Sequence, residues 1–270
     1  MKQAFLWIAL TVGVCAGFCP QAPAAKPKTK VIAHQGHWKP SGSTNNSLES
    51  LRQAAFIAAY GSEFDVNITS DNVAIISHGP KLNGMVIETT PYSAFSEIRL
   101  PNGERVPTLE QYLEEGKKHP GLKLILELKS ASSPEVEQRW VEIVTAMVDR
   151  MKMRKQVEYI SFSLYMCKAL SKKHPRVPVA YLRNENPMAP KDLKAAGINN
   201  IDYSYITMLA NPDWFAEARK LGMKVNVWTV NDEETLRRLI ALGADFITTD
   251  NPLLLQAILS GAGNKEHNKP

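Results

Sequence analysis

The chain has 270 residues, 44% of them hydrophobic and 22% charged, with a formal net charge of +5. That is enough apolar material for one large buried core, and the mild, scattered basic excess suits a small anionic substrate while supplying no stripe for nucleic acid. Of three cysteines, Cys15 and Cys19 fall in an N-terminal leader and only Cys167 remains, which excludes an internal disulfide framework.

In the leader, Lys2 precedes an apolar run from Ala4 to Phe18, and Ala22-Pro23-Ala24 offers small residues for cleavage. This is the pattern of a secretory signal peptide, too short and too soon followed by proline for a membrane span. Val14 and Phe18 are poor residues to precede a lipidated cysteine, so cleavage near Ala24 or Ala25 and export are expected, not a lipoprotein anchor. Residues 1–25 are therefore read as signal peptide, 26–260 as a single domain and 261–270 as a disordered tail. Lys26, Lys28 and Lys30 form a short basic arm, read as solvated linker.

Val31-Ile-Ala33 is a short buried strand leading into His34-Gln-Gly-His37. Asn46-Ser-Leu-Glu49 has the form of a capping box, with Asn46 as the cap. Leu48, Leu51, Ala55 and Ala58 then recur at helical spacing, and Gly61 is expected to close the helix. Glu63 and Asp65, two apart on the next strand, share a face. A turn at Ser70-Asp71-Asn72 forces an antiparallel return through Val73 to Ile76, carrying His78 back toward the two carboxylates. A bound cation is the simplest way to hold both ionised; without one, the stretch reads as a strand with a solvent-facing acidic edge and a satisfied histidine.

A long polar excursion follows, with turns at Gly79-Pro80 and Pro101-Asn-Gly103, and then a helix from Leu109 to Lys118. Beyond it strands and helices alternate. Strands run over 122–129, 157–163, 177–182, 200–205, 224–230 and 246–249, with helices at 134–153, from 164 to about 174, and at 191–196, 212–221, 232–242 and 252–259. With the return strand set aside as a hairpin, eight parallel strands begin near 31, 61, 122, 157, 177, 199, 224 and 246. Eight such units in about 250 residues predict a (β/α)8 TIM barrel with a hairpin insertion after the second strand. No Gly-x-Gly-x-x-Gly follows any strand, which removes the usual reason to choose an open dinucleotide-binding sheet.

A barrel gathers its reactive groups at the C-terminal ends of its strands. Those ends carry His34, Glu63, Asp65, Glu127, Lys129, Phe162, Ser163 and Trp228. Glu127 interrupts an apolar run with Lys129 on the same face; an internal Glu–Lys pair closing the barrel would look the same.

Taken in order, these residues resemble the glycerophosphodiester phosphodiesterases. The family's His-Arg-Gly, Glu-Asn-Thr, Glu-x-Asp, His-Asp, Glu-x-Lys, Ser-Phe, Trp-Thr-Val-Asn and Ile-Thr-Asp have counterparts in His34-Gln-Gly36, Asn45-Asn-Ser47, Glu63-Phe-Asp65, His78-Gly79, Glu127-Leu-Lys129, Ser161-Phe162, Trp228-Thr-Val-Asn231 and Ile247-Thr-Thr-Asp250. The resemblance spans about residues 31 to 255. It implies a divalent cation held by Glu63, Asp65 and Glu127, with all-oxygen ligands that suit Mg²⁺ or Ca²⁺. It implies His34 and His78 as general acid and base, Lys129 on phosphate, and Gln35, Phe162 and Trp228 at the substrate. For Trp228, barrel packing is the alternative reading to an aromatic wall of the pocket. The implied reaction hydrolyses a glycerophosphodiester to glycerol 3-phosphate and an alcohol.

Three positions depart from the pattern. Gln35 replaces an Arg, a bidentate phosphate donor. Gly79 replaces an Asp that would orient His78. Asn45 replaces a Glu. These changes predict weaker phosphate binding or an altered substrate, with His37, Trp38 and Lys39 read as an entrance loop. Two other functions remain compatible with the residues: an exported phosphodiester-binding protein with little catalysis, and a phospholipase-type cleavage on the same barrel.

Overall fold

The computed structural model describes residues 29–40 and 42–261; the signal peptide, Lys26, Lys28 and the tail beyond Gly261 lie outside them. The chain opens with β1 (Lys30–Ala33), α1 (Leu48–Phe56), β2 (Gly61–Ile68) and β3 (Ala74–Ile76). A small pair, β4 (Lys81–Leu82) and β5 (Met85–Val86), precedes α2 (Leu109–Lys117) and β6 (Lys123–Leu128). The order continues with α3 (Pro134–Arg150), β7 (Val157–Ser161), α4 (Leu164–Lys173), β8 (Val179–Arg183), α5 (Pro190–Ala195) and β9 (Asn200–Ser204). It ends with α6 (Tyr205–Ala210), α7 (Asp213–Lys220), β10 (Lys224–Trp228), α8 (Glu233–Leu242), β11 (Phe246–Thr249) and α9 (Pro252–Leu259).

Eight parallel strands pair in the order β1-β11-β10-β9-β8-β7-β6-β2, and β1 pairs with β2 to close the barrel. β3 lies antiparallel on β2, Val66 opposite Ile76, which is the anticipated hairpin. Each strand alternates between two environments, because successive side chains point to opposite faces. Phe64, Val66 and Ile68 of β2, Leu124, Leu126 and Leu128 of β6, and Tyr203 of β9 face the outer helices and share one core. The inward positions hold a smaller apolar set, Ile32, Ile125, Ile160, Ala180 and Leu182, beneath the polar residues of the C-terminal rim. All eight residues of β2 are buried, Glu63 and Asp65 included. The solvent-facing acidic edge is thereby ruled out.

Several local expectations are corrected. Ser47, not Asn46, caps α1: its side chain accepts from Ser50 N–H at 2.9 Å, and Ser50 Oγ accepts from Ser47 N–H at 3.2 Å. Glu49 binds Arg52 and Gln53 on the helix surface instead. Gly61 does not close the helix, which ends at Phe56; it opens β2, where a Cβ would stand 3.0 Å from Ile125 Cγ1. The polar excursion after His78 has an apolar interior, with Ile87, Phe95 and Val106 packed on Ile75 of β3. The strand expected over 200–205 stops at Ser204, and Tyr205–Ala210, assigned to no helix from the sequence, forms α6. Ser204 caps it by accepting from Thr207 N–H at 3.3 Å. Among the described residues no helix is long and apolar enough to cross a membrane.

Candidate active site

The loop from β1 to α1 builds one wall of the site through its backbone. Gln35 and Gly36 take left-handed conformations, with φ of 53° and 79°. Gly36 N–H donates to Glu63 O at 3.1 Å, and Gln35 N–H donates to Glu63 Oε2 at 2.8 Å. Only glycine fits at 36, since a Cβ would stand 2.7 Å from the Ser50 carbonyl carbon. Asn46, also left-handed at φ 57°, donates from Nδ2 to Asp65 Oδ2 at 2.7 Å and accepts from Asp65 N–H at 3.1 Å. The residue expected to cap a helix therefore clamps a carboxylate.

Glu63, Asp65 and Glu127 converge because β2 and β6 pair in parallel with Asp65 opposite Glu127. One oxygen of each lies within 4.8 Å of the others, and all three residues are buried. Lys129 Nζ sits 2.7 Å from Asp65 Oδ1 and 2.6 Å from Glu127 Oε1. Burial and the charges of Asp65 and Glu127 push Glu63 well above the usual carboxylate range. Burial likewise raises Glu127, to about 7, with Lys129 opposing. Burial works against ionised Asp65 too, but His78 and Lys129 outweigh it and hold its pKa well below normal. For Lys129, desolvation is overcome by Glu127 and Asp65, and its pKa rises.

Three carboxylates and one ammonium leave the cluster short of positive charge, and the buried Glu63 Oε1 has no hydrogen-bond partner. An all-oxygen set with an orphaned acceptor fits a hard divalent cation.

The two histidines each approach a different carboxylate of this cluster. His34 Nδ1 lies 2.7 Å from Asp250 Oδ1, and its Nε2 is 3.9 Å from Glu63 Oε2. Burial works against ionised Asp250, but the bonds from His34 and Asn231 outweigh it and lower its pKa. His78 Nδ1 lies 2.9 Å from Gln35 Nε2 and 3.1 Å from Asp65 Oδ2. The bond to Asp65 raises the His78 pKa, with burial opposing. The carboxylate expected at position 79 is thus supplied by Asp65, while Gly79 only offers its carbonyl to Asn67 Nδ2 at 3.2 Å.

A cavity of about 390 Å³ opens over these groups, lined by His34, Glu63, His78, Glu127, Lys129, Phe162, Trp228 and their neighbours. Gln35 and Asp65 lie behind its wall. Phe162 and Trp228 meet edge to face at 5.6 Å, so Trp228 both packs and lines the cavity. Of the expected entrance loop, His37 is instead buried, which lowers its pKa, while Lys39 adds positive charge near Asp250.

Two acids of the site have no role assigned by the sequence pattern. Asp250 enters that pattern only as the end of a motif. Asp202, on the cavity floor, accepts from Asn226 Nδ2 at 2.8 Å, and burial raises its pKa to about 8. A signal does exist in the sequence: Asp202 interrupts Ile201 and Tyr203 just as Glu127 interrupts its leucines.

The family model described as the glycerophosphoryl diester phosphodiesterase family matches residues 34–254. The crystal structure of a glycerophosphodiester phosphodiesterase from Parabacteroides distasonis is 43% identical, with a TM-score of 0.86, over 88% of this chain and 100% of that one. A glycerophosphodiester phosphodiesterase of Caldanaerobacter subterraneus subsp. tengcongensis is 24% identical over 87% of this chain and 100% of its own length. An Oleispira antarctica phosphodiesterase, solved in complex with sn-glycerol-3-phosphate, shares the fold at a TM-score of 0.77 and 21% identity, covering 86% of this chain and 96% of its own. With its barrel, its rim of carboxylates and histidines and these relatives, the chain belongs to the glycerophosphoryl diester phosphodiesterase family and is a phosphoric diester hydrolase.

Proposed function

We propose that the protein hydrolyses small glycerophosphodiesters to glycerol 3-phosphate and an alcohol, with His34 as general base and His78 as general acid. One observation carries this reading: both imidazoles turn Nδ1 to a carboxylate, but at His78 a carboxamide nitrogen stands closer to that atom than the carboxylate does. At His34, the Nδ1 proton goes to Asp250 Oδ1 at 2.7 Å. The neutral ring then keeps its lone pair on Nε2, the form that removes a proton from the attacking oxygen. At His78, Nδ1 is occupied by Gln35 and Asp65. With the Gln35 carboxamide nitrogen donating to Nδ1 at 2.9 Å, the neutral His78 ring carries its proton on Nε2, the form that protonates a leaving alcohol.

Glu63, Asp65 and Glu127 would hold Mg²⁺ or Ca²⁺, which offsets the charge of a phosphodiester. Lys129 is placed to contact the phosphate, and Phe162 with Trp228 forms an apolar wall for the alcohol. The leader adds that the protein is exported and meets its substrate outside the cytoplasm.

A panel of glycerophosphodiesters assayed with Mg²⁺, Ca²⁺ and a chelator tests the reaction. His34→Ala and His78→Ala should each lower turnover by roughly 10²- to 10⁴-fold. A substrate with a strongly acidic leaving alcohol should rescue His78→Ala far more than His34→Ala. Equal rescue of both, or full turnover in chelator, would sink the assignment.

A further inference from the structure

Asn45 and Gln35, which depart from the family's pattern separately in the sequence, touch in the structure. Asn45 Nδ2 donates to Gln35 Oε1 at 2.8 Å. The Asp65 carboxylate, which can only accept, settles that the NH₂ end of Gln35 faces the site, and Asn45 satisfies the oxygen at the other end. That NH₂ end lies 2.8 Å from Asp65 Oδ2 and 2.9 Å from His78 Nδ1. An amide nitrogen has two protons: one goes to Asp65 Oδ2, and the other goes to His78 Nδ1 when that ring is neutral. Gln35 itself is buried and lies behind the cavity wall. His78, by contrast, is substantially exposed and follows no strand directly, so side-chain contacts fix its ring. Asp65 Oδ2 already takes shorter bonds from Gln35 and Asn46 than its 3.1 Å contact with His78. The carboxamide is therefore the closer of the two groups holding His78 Nδ1.

We propose that Asn45 and Gln35 form one neutral positioning pair: Asn45 fixes the Gln35 carboxamide, and Gln35 holds the His78 ring in register with Asp65. This deepens the reading above and rests on it. The pair is coupled through charge as well as geometry. An Arg at 35 with a Glu at 45 sums to the same zero charge, so the Gln–Asn and Arg–Glu combinations are alternative matched solutions. Either half of the swap alone leaves an unmatched charge beside a buried carboxylate cluster. The loss of Arg at 35 is thus compensated within the loop, and the pair governs the orientation of His78 instead of the strength of phosphate binding.

The test is a double-mutant cycle on Gln35→Arg and Asn45→Glu, with Gln35→Met as a shape-conserving control. Each single exchange should lower kcat by roughly tenfold or more at nearly constant KM, and the double exchange should recover most of the loss. Gln35→Met should also lower kcat, and its deficit should shrink on a substrate with an acidic leaving alcohol. Losses in kcat that simply multiply in the double variant overturn the pair, as does wild-type kcat in Gln35→Met. The four proteins of the cycle are compared by melting temperature, which reads the pairing without turnover. Coupling in melting with additive kcat leaves a structural pair and overturns the positioning role. A wild type with no turnover on the whole panel overturns the functional reading and the positioning role with it, whereas non-coupled melting in an active enzyme overturns the pair alone.

Discussion

Asp250 decides which nitrogen of His34 keeps its lone pair. Its Oδ2 accepts from Asn231 Nδ2 at 2.8 Å, and Asn231 cannot turn over because its Oδ1 accepts from Asp250 N–H at 2.9 Å and Thr249 Oγ at 3.1 Å. In Asp250→Asn the new amide must present its oxygen to Asn231 and its NH₂ to His34. The His34 ring is then held in the wrong tautomer. We expect kcat to fall by roughly 10²- to 10⁴-fold with little change in KM; a loss below tenfold would contradict the assignment of His34 as base. Asp202 shows the same care with protons in the opposite sense. Its pKa is raised from 3.8 to about 8, chiefly by burial. Between those values the unfolded chain binds fewer protons than the folded one, so this group's stabilisation is complete at low pH and is lost as pH climbs toward about 8. Asp202→Asn keeps an acceptor for Asn226 and should remove that slope. Urea unfolding at about pH 5 and about pH 9 checks it: the variant's advantage must grow as pH rises, by at most roughly 1.4 kcal/mol for each tenfold fall in proton concentration.

At the scale of elements, the β1–α1 loop illustrates why some of the site was hidden. Asn46 followed by Glu49 has the acid a capping box calls for, whereas Ser47 is followed three residues later only by Ser50, so the local pattern favours the wrong residue. The choice is made by Asp65, a residue on another strand, which binds both ends of the Asn46 side chain. The same loop depends on Gly36. In Gly36→Ala the methyl would meet Ser50 in a backbone conformation of φ +79°. We expect a destabilisation of about 2 kcal/mol or more by denaturant unfolding, from strain and overpacking together. Turnover should fall as well, because Gln35 N–H would leave Glu63. A variant within about 0.5 kcal/mol of wild type would show that the loop relaxes freely. α6 was missed for a related reason: a short apolar run joined directly to a strand has no periodicity of its own to read.

The molecule as a whole concentrates its ionisable groups on one rim. Three buried carboxylates share a single ammonium there, so a divalent cation at the cluster should stabilise the fold as well as serve the reaction. At a cation concentration about 100 times its Kd, the gain is about 2.7 kcal/mol. For a domain of this size that corresponds to a rise in Tm of roughly 5–10 °C. Melting curves with Mg²⁺, Ca²⁺ and a chelator measure it, and Glu63→Gln should blunt the response; identical curves under all conditions would remove the cation from the site.

The barrel, the hairpin and the gathering of His34, Glu63, Asp65, His78, Glu127 and Lys129 were legible from residue order alone. Strand periodicity places alternate residues on one face, and a barrel brings its strand ends together whatever the loops do. The partners of those residues came from the folded chain: Asp250 on His34, Asp65 and Gln35 on His78, Asn45 on Gln35, and Asn46 on Asp65. These contacts join residues up to 216 positions apart and depend on hydrogen-bond direction. Neither spacing nor composition carries that information.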